Sequence, residues 1–213
     1  MADNPYFPIF LTISGKSCLV VGGGAIATRK ANDLVETGAH VNVVAETPCD
    51  DIIEMAQNGK ITLNRRRFVP EDVSGMFLVY AATDDGAANE LVAYSARRDN
   101  ILVNVVDNPS LSDFNSGSVL KRGPLRIAVS TSGMSPSLAR DIRLKLEDQF
   151  SDDFGEYVTA AGECRKQLLA DISLVDEKRR KALDWLASDD AIDAFRSSGH
   201  EELWTQLKKI IYS

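Results

Sequence analysis

Residues 17–46 read SCLVVGGGAIATRKANDLVETGAHVNVVAE. Cys18 to Val21 is a short apolar strand, and Gly22, Gly24 and Ala27 fit the spacing G-x-G-x-x-G/A. The helix that follows places Ala27, Ala31, Leu34 and Val35 on one face, Gly38 ends it, and Val41 to Val44 form a second strand. A glycine triplet alone is weak evidence. A strand before it and a helix and strand after it, within roughly 30 residues, are the context of a dinucleotide-binding βαβ unit. Each residue type has a physical reason. Gly22 permits the tight turn, Gly24 lets the backbone approach a pyrophosphate, and a small Ala27 lets helix and strand pack closely. The helix start then offers unpaired N–H groups and a partial positive charge to the phosphates. The alternative is a βαβ unit whose turn is only structural.

Outward from this stretch the alternation continues. Asp50 to Gln57 is predicted as a helix, Ile61 to Leu63 as a short strand and Met76 to Ala82 as a buried strand. TDDGAANELVAYSARRD starts a helix with Thr83 or Asp84 as its cap and Ala88, Leu91, Val92 and Ser95 on one face, and ILVNVV, residues 101–106, is the next strand. Strands alternating with helices imply a parallel sheet whose ligands lie outside the carboxyl ends of the strands. The glycine turn, Glu46, Thr83 and Asp107 all fall on that side. The acid that usually binds the ribose closes the second strand; here Ala45 takes that position and Glu46 follows it. No basic residue sits beside Glu46 to hold a 2′-phosphate, so NAD is favoured over NADP. Arg65, Arg66 and Arg67 read as a solvated edge strand.

Composition narrows the class. A chain of 213 residues, 44% hydrophobic and 26% charged, is long enough to bury a real core and ordinary for a globular protein. No apolar run approaches the roughly 18–20 residues that span a bilayer, and MADNPYFPIFLTISGK has no basic n-region and is broken by Pro8, so neither a membrane span nor a secretion signal is expected. Three widely spaced cysteines, Cys18, Cys49 and Cys164, suggest reduced thiols in a cytoplasmic setting and no protein-held metal. A net charge of −7 argues against a nucleic-acid binder. Residues 114–145 nevertheless carry six basic side chains (Lys121, Arg122, Arg126, Arg140, Arg143 and Lys145) against Asp141 alone, a local +5 between two segments of −6 each, with nine basic and fifteen acidic residues apiece. That pattern suits a small anionic partner; the competing explanation is a solvated basic face.

After Phe114 the pattern changes. SVLKRGPLRIAVST has strand-like stretches about Gly123-Pro124, with Ile127 and Val129 facing one way, and STSGMSPSLARDIRLKLEDQF runs from a small-residue loop into a helix with Ser135 as cap and Pro136 in its first turn. Leu138, Ile142 and Leu146 recur every fourth residue. From Asp152 onward Leu168, Leu169, Ile172, Leu183, Trp185, Leu186, Phe195, Leu203, Trp204, Leu207 and Ile210 stand at helical spacings and read as helix packing.

The ordered motifs VVGGGAIATRKA, AATDDGAANELV, VNVVDNPSLSDF and KRGPLRIAVSTSGMSPSLAR resemble the precorrin-2 dehydrogenase family of siroheme biosynthesis, strongly over residues 7–147 and only in general character beyond. The resemblance implies NAD-dependent oxidation of precorrin-2 to sirohydrochlorin, with some family members also inserting ferrous iron. It implies an α/β fold with an N-terminal Rossmann-like parallel sheet (1–113), a small α+β dimerisation segment (114–147) and a C-terminal helical domain (148–213), assembled as a homodimer. Carried over by position, cofactor contacts fall on Ala25, Ile26, Glu46 and Thr47, and they join the motif glycines Gly22 and Gly24 and the ligand-side Thr83 and Asp84 as the expected cofactor site. The proposed catalytic aspartate falls on Asp107 and the family's Ser/Thr-rich loop on Ser130 and Thr131, while Asn104, Lys121, Arg122, Ser135 and Arg140 are the further substrate contacts expected in this chain. The chain departs from the family pattern in two ways: Asn115, Ser116 and Gly117 follow Phe114 where Phe-x-x-Pro is common, and Ser112 stands where a cysteine is common.

A tetrapyrrole bearing eight carboxylates fits the +5 segment, and Asp107 at a strand end is placed to accept a proton. With only His40 and His200 in the chain, neither near a ligand-side strand end, histidine is a poor base. The competing reading of Asp107 is a turn cap that bonds nearby N–H groups before Asn108-Pro109. Two other functions stay open: a non-catalytic NAD-sensing module, which explains residues 1–113 alone, and a chelatase without dehydrogenase activity.

Overall fold

The computed structural model describes residues 6–212, so the start of the N-terminal stretch read as lacking a leader lies partly outside the described residues. The chain divides into two compact units, residues 1–115 and 116–213.

The first unit is built on five parallel strands, β1 (Ser17–Val21), β2 (His40–Val44), β3 (Thr62–Asn64), β4 (Leu78–Ala81) and β5 (Leu102–Val105), in the order β3-β2-β1-β4-β5. This is a doubly wound sheet, with its order reversing between β1 and β4. Helices α1 (Ala25–Val35) and α2 (Asp50–Gln57) bury Ala27, Ala31, Leu34, Ile52 and Met55 against Cys18, Val20, Val41, Val43 and Tyr80 on one face. Helix α3 (Gly86–Arg98) covers the other face, where Leu19, Val21, Val79, Ala81, Val103 and Val105 meet Val92, Ala93 and Ala96. Strands covered on both faces have no polar side to alternate, which is why they read as continuous apolar runs.

Three local expectations need correction. The buried face of α3 is Asn89, Val92, Ala93, Ser95 and Ala96, while Leu91 is exposed; the helix is turned to bury Asn89, whose amide ties down the loop before it. Its cap is Asp85, whose carboxylate accepts from the N–H groups of Ala87 and Ala88, and neither Thr83 nor Asp84 has that place. Arg65, Arg66 and Arg67 lie beyond the end of β3 and form no edge strand; Arg66 and Arg67 are held by ion pairs.

In the second unit β6 (Ser118–Arg122) and β7 (Leu125–Val129) form an antiparallel hairpin about Gly123-Pro124, followed by α4 (Pro136–Gln149). Ser135 caps α4 through Leu138 N–H, with Pro136 at the first helical position. Helices α5 (Asp152–Ala170), α6 (Asp176–Trp185) and α7 (Asp189–Tyr212) enclose Cys164, Leu168, Ala182, Leu203 and Leu207. Gly155 lets α5 cross the hairpin turn, since a Cβ there would stand 2.7 Å from the Arg122 carbonyl carbon. Ile172, expected in the packing stripe, sits in the turn after α5 and is 97% exposed, because α5 ends at Ala170.

Candidate functional site

Parallel pairing aligns the strand ends in the first unit: Val21 lies opposite Val44 and Ala81, and Ala81 opposite Val105. The backbone ladder runs just past these ends, with Gly22 N–H donating to Val44 O, Ala82 N–H to Val21 O and Val106 N–H to Ala81 O. Four loops therefore leave the carboxyl edge side by side: Gly22–Gly24, Ala45–Pro48, Ala82–Asp85 and Val106–Asn108. Ligands of doubly wound sheets sit outside this edge, at the reversal between β1 and β4.

The glycine turn is shaped by close approach. Gly22 has φ +134°, and a Cβ on it would fall 2.2 Å from the Ala82 carbonyl oxygen. At Gly23 a Cβ would fall 2.6 Å from the Thr47 carbonyl oxygen, so the middle glycine, absent from the motif's spacing, is what lets the loop after β2 close over the turn. Gly24 differs: nothing lies within 4 Å of a Cβ there. It begins α1 without any side-chain cap and with no acid in the first turn, and Ala25 and Ile26 are exposed beside it. An uncapped helix start with open space in front of a glycine fits a pyrophosphate.

Around this turn the expected residues are engaged in specific ways. Thr83 donates its hydroxyl to Asn89 Oδ1 at 2.8 Å, Asn89 Nδ2 returns a bond to the Thr83 carbonyl at 2.9 Å, and Asp84 is exposed next to it. Asn89 is the residue that motif reading missed; an amide on the apolar face of a helix was its one sequence signal. Thr47 is exposed and supplies the carbonyl over Gly23. Glu46 Oε2 accepts from Arg67 Nε at 2.8 Å. A basic residue therefore does stand beside Glu46, 21 positions away in sequence, and the premise on which NADP was disfavoured does not hold in space.

Asp107 follows β5 in the left-handed region, φ +59°, and is exposed. Its carboxylate makes no hydrogen bond or ion pair among the described residues, so it is not the turn cap. That task belongs to Ser112, whose hydroxyl accepts from Val105 N–H at 2.9 Å and lies 2.9 Å from Asn108 O. Asp113 assists through Val103 N–H, and Asn104 directs its amide to the Phe114 carbonyl at 2.8 Å. Phe114 stacks edge-on against Tyr80, and the Tyr80 ring also receives buried Lys30, whose ammonium is pulled below its usual range by burial and by Arg29, with Asp33 opposing.

In the second unit the basic residues spread out. Arg122 donates to the Phe150 carbonyl at 2.8 Å and pairs with Asp152, Arg126 bonds the Gly123 and Leu125 carbonyls, and Arg143 pairs with Glu147. Arg140 and Lys145 have no ion pair among the described residues, and both are exposed. Thr131 and Ser135 bond one another across the loop before α4, and Ser130 accepts from Ser132 N–H. Among the described residues no group of three or more His, Cys, Asp or Glu side chains could hold a metal ion, and no helix is long and apolar enough to cross a membrane.

The family model described as "Putative NAD(P)-binding" matches residues 9–118, and the sirohaem biosynthesis protein central segment matches residues 122–149. Over 174 residues the chain is 40% identical to a siroheme synthase of Vesicomyosocius okutanii, covering 82% of this chain and 37% of that one. It is 43% identical over 163 residues to a siroheme synthase of Methylococcus capsulatus, covering 76% and 34%. The chain thus spans a little over a third of the length of the curated relatives it matches. The solved structure of SirC, precorrin-2 dehydrogenase, superposes with a TM-score of 0.79 at 29% identity, covering 96% of this chain and 100% of that one.

Proposed function

Because this chain belongs to the siroheme-biosynthesis family built on an NAD(P)-binding domain, we propose that it oxidises precorrin-2 to sirohydrochlorin with NAD. What carries the reading is the pairing, on one sheet edge, of an uncapped glycine turn with an unpartnered carboxylate, Asp107. The reaction removes a hydride and a proton from the macrocycle. NAD, when bound, supplies the hydride acceptor. Gly22 and Gly23 keep the turn tight, Gly24 leaves room for the pyrophosphate, and the first N–H groups of α1 face its charge. Thr83, pinned by Asn89, borders the same crevice. Asp107 accepts the proton, and Ser112 holds the loop so that the carboxylate stays free of backbone donors. Within the second unit Arg140 and Lys145 are exposed cations without an ion pair among the described residues, whereas Arg122 braces the hairpin. Ferrous iron, where inserted, would enter as a substrate bound by the macrocycle's own nitrogens.

Incubation of the protein with NAD and precorrin-2 should produce NADH absorbance that needs all three components. NAD binding without NADH formation would instead mark a sensing module.

Location in the cytoplasm and a homodimer belong to the same reading. The β6–β7 sheet has two strands and two open edges, and α4 buries only Ala139 while Leu138 and Leu144 stay exposed. Pairing across a two-fold axis would cover both features. Sedimentation at micromolar concentration should give a dimer, and Leu138→Glu with Leu144→Glu should shift it to monomer. A wild-type monomer would leave α4 without this role.

A further inference from the structure

We propose that Arg67 sets how the site reads the 2′ position of the dinucleotide's adenosine ribose, and that it lets the site take NADP alongside NAD. The proposal rests on the dinucleotide-binding reading above. Glu46, just past the end of β2, stands one residue beyond the position from which doubly wound folds bind the ribose hydroxyls, and in NADP-binding relatives of that fold an arginine nearby accommodates the 2′-phosphate. Here both residue types occupy one spot. Arg67 Nε bonds Glu46 Oε2, which leaves Oε1 for ribose hydroxyls.

The arginine is delivered there by a built loop. The Asn64 carbonyl accepts from both Ala45 N–H and Arg66 N–H, at 3.1 Å each, so the segment after β3 is tied to the end of β2. Arg66 then grips both carboxylate oxygens of Asp72, at 2.8 and 2.6 Å, and the Arg67 carbonyl at 3.0 Å. Asp72 also accepts from Val69 N–H at 2.9 Å. Arg66 is thereby spent on the loop, and Arg67 projects from it. Besides Glu46, the acid whose charge reaches Arg67 is Asp85, and that carboxylate is occupied by the first N–H groups of α3.

The Arg67–Glu46 pair is exposed, with 84% and 58% of the two side chains accessible. Exposed pairs hold weakly, so the guanidinium is free to trade a carboxylate for a phosphate monoester, which offers more charge and three acceptor oxygens. With NAD bound, Arg67 stays on Glu46 and the ribose uses the remaining carboxylate oxygen.

Calorimetric titration of the full chain with NAD and with NADP tests this. The wild type should bind the two with dissociation constants within about tenfold of one another, and R67L should raise the NADP-to-NAD ratio by about tenfold or more. Glu46→Gln should move the ratio the other way. A larger wild-type preference for NAD, or an R67L variant with an unchanged ratio, would overturn the role of Arg67 while leaving NAD binding intact. A wild type that binds neither dinucleotide would bring down the dinucleotide site itself, and this inference with it.

Discussion

Replacing Asp107 with asparagine should cut precorrin-2 turnover by about 10²- to 10⁴-fold, the usual contribution of a general base, while NAD affinity hardly changes. The backbone makes asparagine the right probe. Asp107 sits at φ +59°, and asparagine tolerates that left-handed conformation about as well as aspartate. Alanine would add roughly 1–2 kcal/mol of backbone strain and confuse a chemical loss with a folding one. No hydrogen bond is removed by the change, since the carboxylate has none among the described residues. The turn is closed by Ser112, so the variant's fold should be retained. A folded Asp107→Asn protein with near-normal NADH production would remove the proton-accepting role. Ser112→Ala offers a contrast: it frees Val105 N–H and lets the loop move, so it should weaken turnover without removing the base.

The two outer glycines of the turn should fail in opposite ways. Gly22→Ala places a methyl 2.2 Å from the Ala82 carbonyl oxygen at a backbone conformation that side chains rarely adopt. Relief requires β1 and β4 to part at their carboxyl ends, where both are buried on two faces, and a loss of roughly 3 kcal/mol or more in stability is expected. NAD binding should vanish with it. Gly24→Ala has an ordinary φ of −93° and open space around the methyl. As a change at the N-cap of α1, it should cost only about 1 kcal/mol of stability, well below the cost at Gly22. Its NAD dissociation constant should nonetheless rise about tenfold or more, because the methyl occupies the pyrophosphate's approach. Denaturant unfolding read beside NAD titration separates the two effects. If Gly24→Ala bound NAD normally, the phosphate site would have to lie elsewhere.

The succession of strands and helices was legible in the sequence because its determinants are local. Strand, glycine turn and helix follow one another within residues 17–35, and the buried run of β4 carries its own signature. What stayed hidden depends on contacts between distant segments. Thr83, Asp84 and Asp85 are all competent caps, and only the path of the loop from β4 selects Asp85. Turning α3 to bury Asn89 is likewise decided by the Thr83 loop, which a hydrophobic face cannot reveal. Arg67 reaches Glu46 because β3 pairs with β2, with Asn64 opposite Val44, a register that no local pattern encodes. Charge behaved in the same way: the excess of cations in residues 114–145 was countable, but not that Arg122 and Arg126 would be taken up by backbone carbonyls.

The most direct measurement is an anaerobic incubation of the wild-type chain with precorrin-2 and excess NAD, with NADH and sirohydrochlorin quantified together. One hydride leaves the macrocycle for each molecule oxidised, so the two products should appear in equal amounts and at the same rate. Bound NAD with neither product formed, or sirohydrochlorin appearing without NADH, would contradict the assignment.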